Sequence, residues 1–95
     1  MQIWRFVLEA DGKQTIEMPK DANVLCVQMK DGRACLWAEV EPKAPKEKRM
    51  FEVFPTGITI PGDMGVSRKY IGTFQISSPM ETMETLVFHV YERIN

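Results

Sequence analysis

Few residues in this chain have the chemistry for catalysis at neutral pH. His89 is the only histidine, and it stands inside the apolar terminal run Thr85-Leu-Val-Phe-His-Val-Tyr91. No Ser, Cys or Asp lies at a recognisable catalytic offset from it. A histidine so placed is expected to be a strand residue satisfied by its neighbours. Cys26 and Cys35 are possible nucleophiles, but nothing beside them in sequence would lower a thiol pKa. Two Cys and one His do not make a zinc site within one chain. Thr56-Gly57 with Gly62 and Gly65 resembles a phosphate loop only superficially. The spacing fits neither a P-loop nor a dinucleotide fingerprint, and no helix follows to lend its dipole. The expectation is a protein that is not an enzyme, without catalytic set, metal or cofactor.

Binding chemistry is better represented. Lys43, Lys46, Lys48 and Arg49 precede one apolar run, and Arg68 and Lys69 precede another. Tyr70 follows the second cluster directly, and Trp37 stands just before the first. Cations beside an aromatic ring are the usual means of gripping phosphate while stacking a base. The candidate ligand contacts are therefore Trp37, Lys46, Lys48, Arg49, Thr56, Gly57, Arg68, Lys69 and Tyr70. The bland alternative is a solvated, charge-mixed loop in which Glu41 and Glu47 offset the lysines. Arg49 and Arg68 sit at strand beginnings outside the core pattern, so their replacement is expected to weaken binding without affecting stability.

The elements that must carry these residues are strands. Asn23–Val40 contains two β-rich runs around Asp31-Gly32, the dipeptide suited to a type I′ turn. With Asp31 and Gly32 at the turn, Lys30 faces Arg33, Gln28 faces Cys35 and Cys26 faces Trp37. One hairpin face is then Leu25, Val27, Met29, Ala34, Leu36, Ala38 and Val40, wholly apolar and hence core. The other is mixed, and its two cysteines sit diagonally, so a disulfide would be strained. Residues 2–8 and 85–93 read as strands apolar on both faces, and 14–18, 49–54 and 68–76 as further strands. Residues 10–13 read as a turn, and 77–84 as a polar turn region, with a single turn at 80–85. The proline-punctuated segment 41–48 reads as a connection that is neither helix nor central strand. The segment 55–65, rich in Gly and Pro, is a long loop of the kind that carries function or is disordered. About seven short strands between turns predict an all-β domain, a small antiparallel sandwich or partly open barrel.

Ninety-five residues allow one domain, 1–95, with one core. The formal net charge of −1 argues against a general DNA- or RNA-coating protein. No apolar run reaches membrane-spanning length, and the amino terminus lacks the order of a signal peptide. A cytoplasmic protein with reduced thiols is expected. Strands apolar on both faces further predict a homo-oligomer, since one short chain cannot cover them all.

Ile3-Trp-Arg-Phe6, Gln14-Thr-Ile-Glu-Met-Pro19, Val24-Leu-Cys-Val-Gln28, Cys35-Leu-Trp-Ala38, Pro42, Thr56-Gly57, Ile60-Pro61, Tyr70-Ile-Gly-Thr-Phe-Gln75 and Leu86-Val-Phe-His-Val90 follow in order along nearly the whole chain. In this order the sequence resembles a family of small bacteriophage- and prophage-encoded proteins of unknown function. The run Tyr70–Gln75 and Phe88-His89-Val90 carry the likeness most, while 76–85 looks longer than the family's usual turn. The resemblance implies a phage accessory protein acting in the host cell cytoplasm, and it transfers no active site. The leading expectation is a non-enzymatic binding protein that antagonises a host antiviral defence. It would do so by sequestering a small, for instance cyclic, nucleotide signal or by blocking a host protein. The alternatives are a small nucleotide-processing hydrolase built on His89 with a Thr or Cys partner, and a virion assembly accessory.

Overall fold

The Asp31-Gly32 turn forms as the sequence predicts. Both residues have positive φ, 52° and 78°, and Lys30 pairs with Arg33, Gln28 with Cys35 and Cys26 with Trp37. A β-branched residue at Gly32 could not adopt that conformation without strain. In the computed structural model the described residues are 1–10, 12–62, 64–77 and 85–94. They form seven strands: β1 (Gln2–Val7), β2 (Gly12–Pro19), β3 (Asn23–Lys30), β4 (Arg33–Val40), β5 (Lys46–Pro55), β6 (Arg68–Ser77) and β7 (Thr85–Arg93). Asp11 of the first turn, and the polar turn region beyond Ser77, lie outside the described residues.

The strands make two sheets, a three-stranded one in the order β1-β4-β3 and a four-stranded one in the order β2-β5-β7-β6. Every pairing is antiparallel. The chain is thus an all-β sandwich and not a closed barrel. The inner faces meet through Leu36, Ala38, Val40 and Val27 on one side and Met18, Phe51, Val53, Phe74 and Val90 on the other, all buried. Trp4, Phe6 and Phe88 pack against this core. Removing such side chains from water is the main force holding the layers together.

Three details depart from the sequence reading; the simplest is that β2 already begins at Gly12, within the expected turn 10–13. A β-bulge falls between Val24 and Cys26. It turns Val24 towards the core opposite Ala38 and leaves Leu25 exposed, so Leu25 leaves the expected apolar face. The connection before β5 is also shorter than expected, because β5 starts at Lys46 and lies between β2 and β7. Lys46 and Lys48 pair with Pro19 and Glu17 of β2, so the prolines confine the break to residues 41–45.

Gly72 of β6 faces the other sheet at close quarters: a Cβ there would stand 2.6 Å from Val27 Cγ1 of β3. Only glycine leaves that valine its place. Gly72→Ala should therefore destabilise the domain by about 1–3 kcal/mol through overpacking. In a Val27→Ala background the penalty should shrink, and a denaturant-melt double-mutant cycle reads that coupling.

Candidate functional site

β5 and β6 run parallel with β7 between them, so the chain leaving Pro55 must travel back the length of the sheet before Arg68. Residues 56–62 and 64–67 belong to this strap, which the Arg68 side chain meets by donating from Nη1 to the Pro61 carbonyl (2.8 Å). The strap starts where the Thr56 amide donates to the Val87 carbonyl (3.0 Å) and ends where the Ile94 amide donates to the Ser67 carbonyl (2.9 Å). Ile58 of the strap lines a groove of about 280 Å³ with Lys13, Glu52 and Phe54 of the sheet.

Strand alternation places Lys13 and Glu17, Lys48, Glu52 and Phe54, His89, Tyr91 and Arg93, and Arg68, Tyr70 and Thr73 on this outer face. Glu52 is only 6% exposed. It accepts from Arg68 Nε at 2.8 Å and lies 3.9 Å from Arg93 Nε, so two guanidiniums share one carboxylate. The Arg68 guanidinium also lies 5.9 Å from the Phe54 ring centre. Tyr91 sits edge-on to Tyr70 at 5.4 Å and to Phe54 at 6.1 Å. Tyr70 remains 52% exposed. The result is a row of rings flanked by cations.

Beside that row runs a chain of hydroxyls through the histidine. Tyr70 Oη bonds Thr73 Oγ1, Thr73 Oγ1 bonds His89 Nδ1 (3.0 Å), and His89 Nε2 bonds Thr56 Oγ1 (2.7 Å). Thr56 Oγ1 in turn donates to the Val87 carbonyl (3.3 Å), a group that can only accept. The network therefore assigns the proton to His89 Nε2, which donates to Thr56. Nδ1 then accepts from Thr73, and Thr73 accepts from Tyr70. His89 is held by its neighbours, as its setting in the sequence predicts.

The nine sequence candidates do not assemble as one site. Arg68, Tyr70, Thr56 and Lys48 share the outer face and its strap, with Gly57 following Thr56 at a φ of 94°. Lys46 and Lys69 are exposed nearby, Lys69 alternating away from Arg68 and Tyr70. Trp37 lies on the outer face of the other sheet, between Arg5 and Cys26, across the thickness of the sandwich. Arg49 faces inward and is committed. Its guanidinium makes a bidentate pair with Glu92 (2.6 and 2.8 Å) and donates to the Ala22 carbonyl. Those Glu92 bonds, together with the charges of Glu92, Glu47 and Asp21, raise the Arg49 pKa against the lowering effect of burial. A raised cation pKa adds stability at every pH below the ordinary arginine range and loses it only above, so Arg49 stays charged at any working pH.

The expectation that Arg49 and Arg68, at strand beginnings outside the core pattern, can be replaced without affecting stability is thus corrected, because both neutralise buried carboxylates. The sequence reading missed those partners, Glu52 and Glu92, and also Phe54, Tyr91 and Arg93. A single acid within Met50-Phe-Glu-Val-Phe54 was the available sign that a cation must approach from elsewhere. Among the described residues no cluster of His, Cys, Asp and Glu could hold a metal ion. Cys26 and Cys35 are free thiols. Arg49→Glu should lower stability by about 3–5 kcal/mol, since it strands Glu92 in a nearly buried position. Lys48→Glu, at an exposed position, should stay within about 0.5 kcal/mol of the parent in the same chemical melt.

No curated protein and no solved structure matches the chain. Residues 1–95 match a family described as a domain of unknown function (DUF7352). With the whole sequence covered, the chain belongs to that family.

Proposed function

We propose that the chain is a non-enzymatic binding domain that takes up a small phosphate-bearing aromatic ligand, a nucleotide, on the outer face of its four-stranded sheet. In the biological form of this reading it is a phage accessory protein in the host cytoplasm. There it antagonises antiviral defence by sequestering a nucleotide signal, for instance a cyclic one. The phage part rests on the sequence resemblance. The ligand part rests on one observation: exposed Tyr70, backed by Tyr91, lies on a face where Lys13, Lys48, Arg68 and Arg93 outnumber Glu17 and Glu52. This local excess of positive charge occurs on a chain whose net charge is −1. Anions are drawn to such a face, and a π-surface accepts any base.

Calorimetry with cyclic di- and trinucleotides and with adenosine diphosphate ribose-like molecules tests the reading. Binding should weaken steeply with added salt. Tyr70→Ala should cost about 1–3 kcal/mol of binding energy, and Lys48→Glu should weaken binding while leaving the melt unchanged. If no nucleotide binds and a host protein copurifies from infected cells, sequestration fails and the blocking of a host protein takes its place.

The 2.7 Å contact between Thr56 Oγ1 and His89 Nε2 favours a second reading, a hydrolase with a threonine nucleophile and histidine base. The polarity of the hydroxyl chain weighs against it, since Thr56 spends its proton on the Val87 carbonyl. No turnover of the same nucleotide panel is expected, and bound nucleotide should be recovered intact. Turnover that disappears in His89→Ala would replace the binding reading with the catalytic one.

A further inference from the structure

Among the described residues no strand layer covers the outer face of the three-stranded sheet, yet it carries fewer charged and hydroxyl-bearing residues than the outer face of the four-stranded one. Across β1, β4 and β3 its rows are Ile3, Glu39 and Asn23; then Arg5, Trp37 and Cys26; then Val7, Cys35 and Gln28; and at the turn end Arg33 and Lys30. Ile3 is 62% exposed, and bulged Leu25 and Val7 are also exposed. At the centre stands Trp37, whose indole N–H is shut off from solvent without a hydrogen-bond partner.

Charge on this face is polarised along the strands. The end near the hairpin turn carries Lys30, paired with Asp31, and Arg33; the central row carries Arg5; the opposite end carries Glu39, with Glu41 just beyond against the amino terminus. A surface acidic at one end and basic at the other is complementary to itself when a second copy is laid on it with strands reversed. We infer that this face is an interface between two copies of the chain, packed about a two-fold axis running across the strands, so that Glu39 of each copy meets the partner's Arg33. Under that operation the Trp37 row lies over the row of the partner's Cys35 and the partner's Gln28. The exposed apolar positions Ile3, Val7 and Leu25 are then covered. The inference is independent of the ligand reading, which concerns the opposite face.

Sedimentation equilibrium of the full chain over a wide concentration range tests it. The parent should dimerise. Glu39→Arg and Arg33→Glu should each raise the dissociation constant at least about tenfold by setting like charges against each other. Combined in one chain they should restore the parent value, since each contact again joins an arginine to a glutamate. Arg33 is exposed beside the turn, so Arg33→Gln provides a milder second variant that keeps the fold, checked by circular dichroism. A strict monomer overturns the inference. A dimer indifferent to the single substitutions also overturns it, as edge pairing of β1 would be. So does a double variant no tighter than the singles.

Discussion

Burying a carboxylate in a small β-sandwich obliges the rest of the fold to bring it a cation, because an unpaired buried charge costs several kcal/mol. This chain does so twice, at Glu52 and Glu92 on the adjacent central strands β5 and β7. The two acids face opposite sides of the same sheet. Glu92 points into the layer between the sheets and captures Arg49 from β5, while Glu52 points outward and captures Arg68 from β6. Each pair spans strands and fixes their register with directional bonds that apolar contacts lack. Pairs of this kind contribute less to net stability than to making the alternatives expensive.

The outward pair also shapes the surface. Arg68 reaches across the sheet to Glu52 and, with its other nitrogen, to the Pro61 carbonyl, so the same side chain that neutralises the acid holds the strap. The strap is a consequence of topology, since two parallel strands of one sheet need a connection that crosses its face. A sheet face with a strap over it acquires a groove, here lined by Lys13, Glu52 and Phe54 together with Ile58 of the strap, and such a groove differs in kind from an ordinary solvated β-surface. Since Glu52 is shared between Arg68 and Arg93, the charge left over belongs to the surface.

Much of the fold was legible in the chain, for reasons that are local. Asp31-Gly32 could only be a tight turn, and that turn set the pairing of Cys26 with Trp37 before any tertiary contact was considered. Period-two alternation marked Phe51 and Val53, and Leu36 and Ala38, as inward. The bulge at Leu25 was hidden because a run of apolar residues does not show where one extra residue has been inserted. The start of β5 was hidden because Lys46–Lys48 is a strand by virtue of β2 beside it, and not by its own propensity. The roles of Arg49 and Arg68 were hidden more deeply. Arg49 finds its acid 43 positions away and Arg68 finds its own 16 away, so neither pair exists until the strand order does. Of the candidate site, Tyr70 and Arg68 stayed together because they are near neighbours on one strand face. Trp37 was separated from them because the sheet to which a strand belongs is not written in that strand.

That separation gives the molecule its division of labour. A 95-residue chain has too little apolar material to cover both outer faces of a two-layer sandwich. The four-stranded sheet deals with this by carrying charged and hydroxyl-bearing residues outward and drawing its own loop across them. The three-stranded sheet is more tightly joined: β3 and β4 meet through a two-residue turn, and β1 enters at its edge. Among the described residues its Ile3, Val7 and Leu25 stay exposed, while the connection after β5 lies against the other sheet. Were that sheet covered by a second copy with its strands reversed, the acidic end of one copy would meet the basic end of the other.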